Sequence, residues 1–221
     1  MNVHEALIKR YTCRAFKPDP VSPDTIKEVL ELANRTPSWG NTQPWQMYVA
    51  GGAVLDELRR ESLDRFSRGI AGETDLPIPQ EWPEAMKKRY IAVGKERFAL
   101  LAQELDKDSI VQSIMERNYA FFDAPVVIYL CMDRSLTPYS MYDLGALSQS
   151  IMLSAAERGL NTAPAIMLVQ YPDIIRESLS IPENLAIVLG IALGYGDEGS
   201  IHNRFRTGRR PLAEVVSIKG C

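Results

Sequence analysis

A chain of 221 residues, 46% of them hydrophobic, has the material for a full core, and its formal charge of −3 with a pI near 5.5 argues against a general nucleic-acid binder, because there is no broad basic excess to release counterions from phosphates. The acidic and basic residues of the N-terminus do not make an export signal, and no apolar run approaches the roughly 18 residues of a spanning helix. His4 and His202 form no metal cluster or nucleophile–histidine pair, and Cys13, Cys131 and Cys221 show no C-x-x-C spacing, so the composition fits a soluble protein of the reducing cytoplasm with no membrane or nucleic-acid partner.

Asn2 followed three residues later by Glu5 forms a capping box, and Val3, Leu7 and Ile8 give an apolar face to a short first helix that ends at residues 10–14. Ser22 caps a second helix with Pro23 at its first position and Asp24 near its positive end; Ile26, Val29, Leu30 and Ala33 make its buried stripe. This helix runs into TPSWGNTQPW at 36–45. There Gly40 and Pro44 punctuate the backbone, while Ser38, Asn41, Thr42 and Gln43 offer donors and acceptors toward a planar polar ligand. A solvated turn is the alternative reading of such a polar cluster.

Residues 46–50 read as a short strand stopped by Gly51 and Gly52, and 126–131 as a buried, β-branched one. Between them, from about 53 to 118, lies a charged, mainly helical excursion broken near 71–83, with Met86, Tyr90, Phe98, Leu101 and Leu105 as apolar contacts; it reads as a lid and dimer arm. Residues 143–158 form the clearest helix, with Leu144, Leu147, Ile151 and Ala155 at helical spacing and Gly159 as the stop. Strands at 163–169 and 185–193 then flank a helix at 173–179, with Pro182 in the turn. The interleaving predicts one α+β domain over 1–221, a sandwich with a mixed sheet.

Arg10, Thr12 and Arg14 alternate, so in an extended segment they share one side, where two guanidiniums and a hydroxyl can hold a phosphate and the polar edge of a ring. A solvated face is the competing reading of such an alternation. Gly194, Gly196 and Gly199 satisfy G-x-G-x-x-G after a strand, but no helix and no acidic residue about 20 positions on follow, which rejects a Rossmann site. A turn delivering Arg206 and Arg209 to a phosphate fits these glycines better.

The segments RYTCRAF at 10–16 and TPSWGNTQPW together resemble the FMN-dependent nitroreductase family, whose pattern is an Arg-x-Ser-x-Arg start and a Pro-Ser-Ser-x-Asn-x-Gln-Pro-Trp loop; Thr12 stands for the first serine and Trp39 for the second serine of the loop. The resemblance continues in order through FFDAPVVIYL at 121–130, GLNTAP at 159–164, YPDIIRESLSIPENLAIVLGIALGYGD at 171–197 and RFRTGRRPLAEVV at 204–216, and is closest to the nitrobenzoate and nitroarene reductase branch.

That resemblance implies a nitroreductase-like sandwich with a mainly antiparallel sheet flanked by helices, assembled as an intertwined homodimer with FMN in the clefts. It implies that Arg10 and Arg209 hold the phosphate with Thr12 assisting and Tyr11 beside them, that Arg14 approaches the pyrimidine edge, and that Pro37, Ser38, Trp39, Asn41 and Gln43 line the cofactor. The segment at 161–165 corresponds to the one whose backbone meets flavin N5 and O4; Pro164 cannot donate, which leaves Ala163, Ala165 or Ile166. Asn118, with Arg117 beside it, lies near a family amide position, and a helix-surface role is an equal alternative. Trp39 either walls the acceptor pocket or fills the dimer cleft. The implied activity is reduction of nitroaromatic or quinone-like acceptors by NADH or NADPH in two steps, with the flavin and no catalytic side chain carrying the chemistry. A reductive dehalogenase is the alternative enzyme, and a flavin-binding sensor or store the alternative of another class.

Overall fold

The computed structural model describes residues 1–220; Cys221 lies outside the described residues. The sheet has four strands, β1 (Gln46–Gly51), β2 (Val126–Asp133), β3 (Asn161–Ala165) and β4 (Leu185–Gly194), ordered β1-β2-β4-β3, with every pairing antiparallel. Its parallel component is an isolated bridge between Thr12 and Thr162, which lays the N-terminal segment along the free edge of β3.

β2 is buried on both faces. Val127, Tyr129 and Cys131 point into a core beneath α3 (Gly52–Ser67), α5 (Ile110–Tyr119) and α7 (Pro172–Leu179), while Val126, Ile128 and Leu130 point into a second core beneath α2 (Pro23–Ala33) and α6 (Pro138–Glu157). The period of two therefore divides the strand between two apolar layers, and every position from Val126 to Met132 is hydrophobic because both faces are covered. The expected α+β sandwich is the observed one.

Local chemistry places the helices. At α1 (Val3–Lys9) the Asn2 side chain accepts from Glu5 N at 2.9 Å and the Glu5 carboxylate accepts from Asn2 N at 3.1 Å. Ser22 accepts from Thr25 N at 3.1 Å, and Pro23 begins α2. Two expected elements shift. The helix expected from residue 143 starts at Pro138 behind Thr137, so its first turn carries exposed Tyr139 and Tyr142 in place of core residues. The strand expected at 163–169 ends at Ala165, where pairing with β4 at Gly190 stops, and Ile166–Val169 turn into a 3₁₀ segment that sends Leu168 and Val169 back into the core.

The stretch between β1 and β2 has two characters. α3 buries Leu55 and Leu58, and α5 packs against it; α4 (Glu84–Leu101) buries only Leu101. Leu101 joins Ile110 and Ile201 in a small separate cluster, so α4 is fastened to the molecule at its C-terminal end. The break in the excursion is pinned by Asp75, which accepts from Arg134 at 2.6 Å, Arg176 at 2.8 Å and Ile187 N at 2.8 Å.

Candidate cofactor site

The structure sorts the expected site residues into two groups. The first surrounds residues 10–16, which are stitched to the core at several points: Cys13 N donates to Thr162 O at 3.0 Å, Phe16 bridges Gly196, and Asp197 N donates to Ala15 O at 3.0 Å. Gly196 is required at this crossing, since a Cβ there would lie 2.8 Å from Asn161 Oδ1 and 3.1 Å from the Tyr11 hydroxyl. The glycines after β4 thus serve a tight passage beneath the N-terminal segment.

Arg14 is held by its backbone. Its N–H donates to Asn203 Oδ1 at 2.7 Å, its carbonyl accepts from Arg117 Nε at 3.0 Å, and its guanidinium folds back onto Thr12 O at 3.3 Å. Burial lowers its pKa. Arg206 lies over the Tyr11 ring at 3.7 Å, a cation–π contact that places its charge beside the same segment. Arg10 reaches Met152 of α6 at 3.9 Å, and its buried Nε has no partner.

Arg117 is tied to Asp123 at 3.3 Å. Asp123 closes a turn in which Phe121, Phe122 and Asp123 all have positive φ, at 54, 57 and 63°, a conformation costing of order 1–3 kcal/mol per non-glycine residue. Arg59 holds the turn from below, donating to Ala120 O at 3.0 Å and Ala124 O at 2.7 Å. Asn118 is turned away from Arg14: its amide donates to Ile114 O on its own helix at 2.7 Å. Arg209 is exposed, with its guanidinium bonded to Thr207 and Gly208 in the C-terminal tail. Arg117 and Arg206, then, are the residues that the fold brings to the 10–14 segment, while Asn118 and Arg209 face elsewhere within one chain.

The second group is the loop after α2. Gly40, Asn41 and Gln43 all have positive φ, and Ser38 Oγ accepts from Gln43 N at 2.9 Å, so the loop is a tight, left-handed turn that leaves the Asn41 side chain exposed. Trp39 is 70% exposed, sits edge-on to Tyr139 with centroids 5.5 Å apart, and donates its backbone N–H to buried Asp143 at 3.2 Å. Among the described residues, no hydrogen bond or ion pair joins this loop to the Arg14 group. Ala163 is fully buried in β3 opposite Ala192, Pro164 and Ala165 are half-buried beside it, and Ile166 is exposed where the strand ends.

Sequence reasoning missed Asp143, Arg97, His202 and Asn203. Asp143 carried a signal, a carboxylate on the apolar stripe of its helix; the others are distant in sequence and carried none. His202 is buried, its Nδ1 unpartnered, and its pKa is lowered to about 4 by desolvation and then by the charges of Arg117, Arg97 and Arg14. Desolvation, with Arg14 and Arg117 close by, likewise lowers Arg97 to about 10. No group of histidines, cysteines and carboxylates suited to a metal occurs among the described residues, and no helix among them is long and apolar enough to cross a membrane.

Comparison with known proteins places this geometry in its class. Residues 7–195 match the nitroreductase family, and the chain belongs to it. It is 35% identical to a 4-nitrobenzoate reductase of Nocardioides sp. (strain LMS-CY), over 97% of this chain and 89% of that protein, and 32% identical to a chloronitrobenzene nitroreductase of Comamonas testosteroni, over 98% and 96%. The crystal structure of an FMN and NADPH-dependent nitroreductase, NfnB from Sphigopyxis sp. strain HMH, matches the whole of both chains with a TM-score of 0.93 at 30% identity.

Proposed function

We propose that the protein is an FMN-dependent NAD(P)H oxidoreductase that reduces nitroaromatic acceptors, working in the cytoplasm as a homodimer. The observation that carries this reading is the desolvated cation set at residues 10–14: Arg10 presents a buried, unpartnered Nε and Arg14 has no ion-pair partner among the described residues, a donor set that lacks its anion. Such a set fits a phosphate and the electron-rich edge of a reduced ring. The likeness over the full chain to nitroreductases that use FMN and NADPH supports the same choice.

When bound, FMN supplies hydride acceptance and donation at N5. The chain's residues bind and orient. Arg10, Thr12 and Arg206 would hold the phosphate end, with Arg209 joining from the tail. Arg14, whose backbone is held by Asn203 and Arg117, would offer its charge to the pyrimidine edge, and the backbone N–H groups around 163–166 would serve the N5 and O4 side. Tyr11 carries Arg206 on its ring. Ser38, Asn41 and Gln43 contribute polar groups beside Pro37, and Trp39 borders the acceptor space; Asn118, bonded to Ile114 on its own helix, takes the helix-surface role. NADH or NADPH and then the acceptor occupy one face in turn, so positioning supplies most of the catalysis and no side chain titrates in it.

Two features support the dimer. The loop at 37–43 and the Arg14 group are unconnected within one chain, and apolar side chains at Val3, Leu7 and Ile8 of α1 and at Leu212, Val215 and Ile218 of the tail are exposed. In a dimer the loop of one protomer completes the cation site of the other, and residues 53–118 act as lid and arm. Sedimentation at nanomolar concentration tests this: a flavin-loaded dimer is expected, and a flavin-loaded monomer would contradict it. For the activity, apoprotein reconstituted with FMN is expected, under anaerobic conditions, to oxidise NAD(P)H beyond one equivalent per flavin only when a nitroarene is supplied; bound flavin without turnover would indicate a binding module.

A further inference from the structure

α4 is exposed along most of its length, yet Arg97, one turn before its end, turns a buried Nε without a partner toward the core. Its position follows from how the helix is fastened. Leu101 packs with Ile201, the turn containing Ile201 also carries His202 and Asn203, and Asn203 Oδ1 accepts from Arg14 N at 2.7 Å. Arg117 of α5 donates to Arg14 O from another side. Arg14, Arg97, Arg117 and His202 thus converge from four elements. The one carboxylate bonded within the set is Asp123, on Arg117, while Glu104, just past the C-terminal end of α4, is occupied by Arg204 at 2.5 Å. Like charges held together out of water are unfavourable unless an anion joins them.

We propose that Arg97 is a positioning residue for cofactor charge: α4 carries it to a cationic wall, shared with Arg14 and Arg117, that binds reduced FMN more tightly than oxidised FMN. This rests on the FMN reading above. Hydride from the reduced nicotinamide brings two electrons and one proton to a neutral isoalloxazine; the nicotinamide leaves as a cation and the ring system gains one negative charge, shared by N1 and O2. A cation near that edge stabilises the product of the step more than its reactant. The coupling is reciprocal, so reduction in turn holds the α4 end against the 201–203 turn. His202, kept neutral, shares the wall without adding a fourth charge.

The test is the midpoint potential of FMN bound to the Arg97→Met protein, which keeps the aliphatic stem. Affinity for oxidised FMN is expected to change less than about threefold and affinity for reduced FMN to fall about tenfold, which lowers the midpoint by about 30 mV for a two-electron couple. The pH at which reduction begins to take up a second proton is expected to rise, because N1 loses a cation that favours its anionic form, and Arg97→Lys is expected to restore both values. Without FMN, the melting temperature of Arg97→Met is expected to equal or exceed that of the wild type, since repulsion is relieved; this distinguishes a charge effect from a damaged fold. Equal weakening of both redox states, or an unchanged midpoint and proton crossover, would overturn the role of Arg97 alone. A wild-type protein that takes up no FMN would overturn the parent reading and this inference together.

Discussion

Arg117 donates its Nε–H to the backbone carbonyl of Arg14 across 3.0 Å while its other end reaches Asp123 at 3.3 Å. One α5 side chain therefore ties the N-terminal segment to the strained turn at 121–123. Hydrogen bonds from charged groups contribute about 1.5–3 kcal/mol, so Arg117→Met is expected to lose roughly that much stability in urea unfolding and to bind FMN more weakly. Unchanged values of both would mean that the contact positions nothing.

Arg10→Ala is expected to weaken FMN binding by about 2–4 kcal/mol, the range for removing a charge-assisted contact to an anion in a partly desolvated site, and Arg206→Ala by a similar amount. Arg209→Ala tests whether the exposed tail turns onto a cofactor site of the dimer: dialysed variant protein should be pale. Full flavin occupancy in Arg209→Ala with loss in Arg206→Ala would assign the phosphate to Arg206.

Trp39→Ser is expected to change the ratio of kcat/KM between small and bulky nitroarenes by about two- to twelvefold while leaving FMN affinity nearly unchanged, because aromatic contact is worth roughly 0.5–1.5 kcal/mol beyond area burial. The exposed ring touches its own chain edge-on at Tyr139, and its backbone N–H is already engaged by Asp143, so replacing the indole leaves the loop anchored. Loss of flavin with constant selectivity would make Trp39 a cleft filler.

Much of this architecture was legible because its signals are local. The Asn2–Glu5 box, the Ser22–Pro23 start of α2 and the apolar run at 126–131 in β2 each act within a few residues. The first turn of α6 escaped because Tyr139 and Tyr142 point outward and break the apolar period that marks the rest of the helix; the Thr137–Pro138 pair was its signal. The end of β3 escaped because Ile166–Val169 is as apolar as a strand, and pairing with β4 decides where extension stops. At the site, the alternation of Arg10, Thr12 and Arg14 was readable, whereas the convergence of Arg97, Arg117, His202 and Asn203 on Arg14 is a property of tertiary packing.

His202 gives a pH signature. Its folded pKa, about 4, lies below the ordinary value of 6.5, so between these limits the unfolded chain binds the extra proton and stability falls as pH drops from about 6.5 toward 4. Allowing for solvent relaxation, the loss is of order 1–2 kcal/mol. The difference in unfolding free energy between wild type and His202→Gln should shrink across that window; a constant difference would place the imidazole in water.

Asp75 accepts from Arg134, Arg176 and Ile187 N in the break between α3 and α4. Its replacement by Ala leaves the buried Arg176 guanidinium with one carboxylate, that of exposed Glu183 at 3.4 Å, for an expected loss of about 3–5 kcal/mol in thermal or urea unfolding. A loss below about 1 kcal/mol would show that Glu183 and the backbone carbonyls around Arg176 suffice.

The most direct measurement is an anaerobic titration of the purified protein followed by absorbance. The account predicts a yellow protein whose flavin bands bleach with one equivalent of NADH or NADPH per FMN and return on addition of a nitroarene in the absence of oxygen. A colourless protein that takes up no FMN, or a flavin that bleaches and is not restored by any nitroarene, would contradict it.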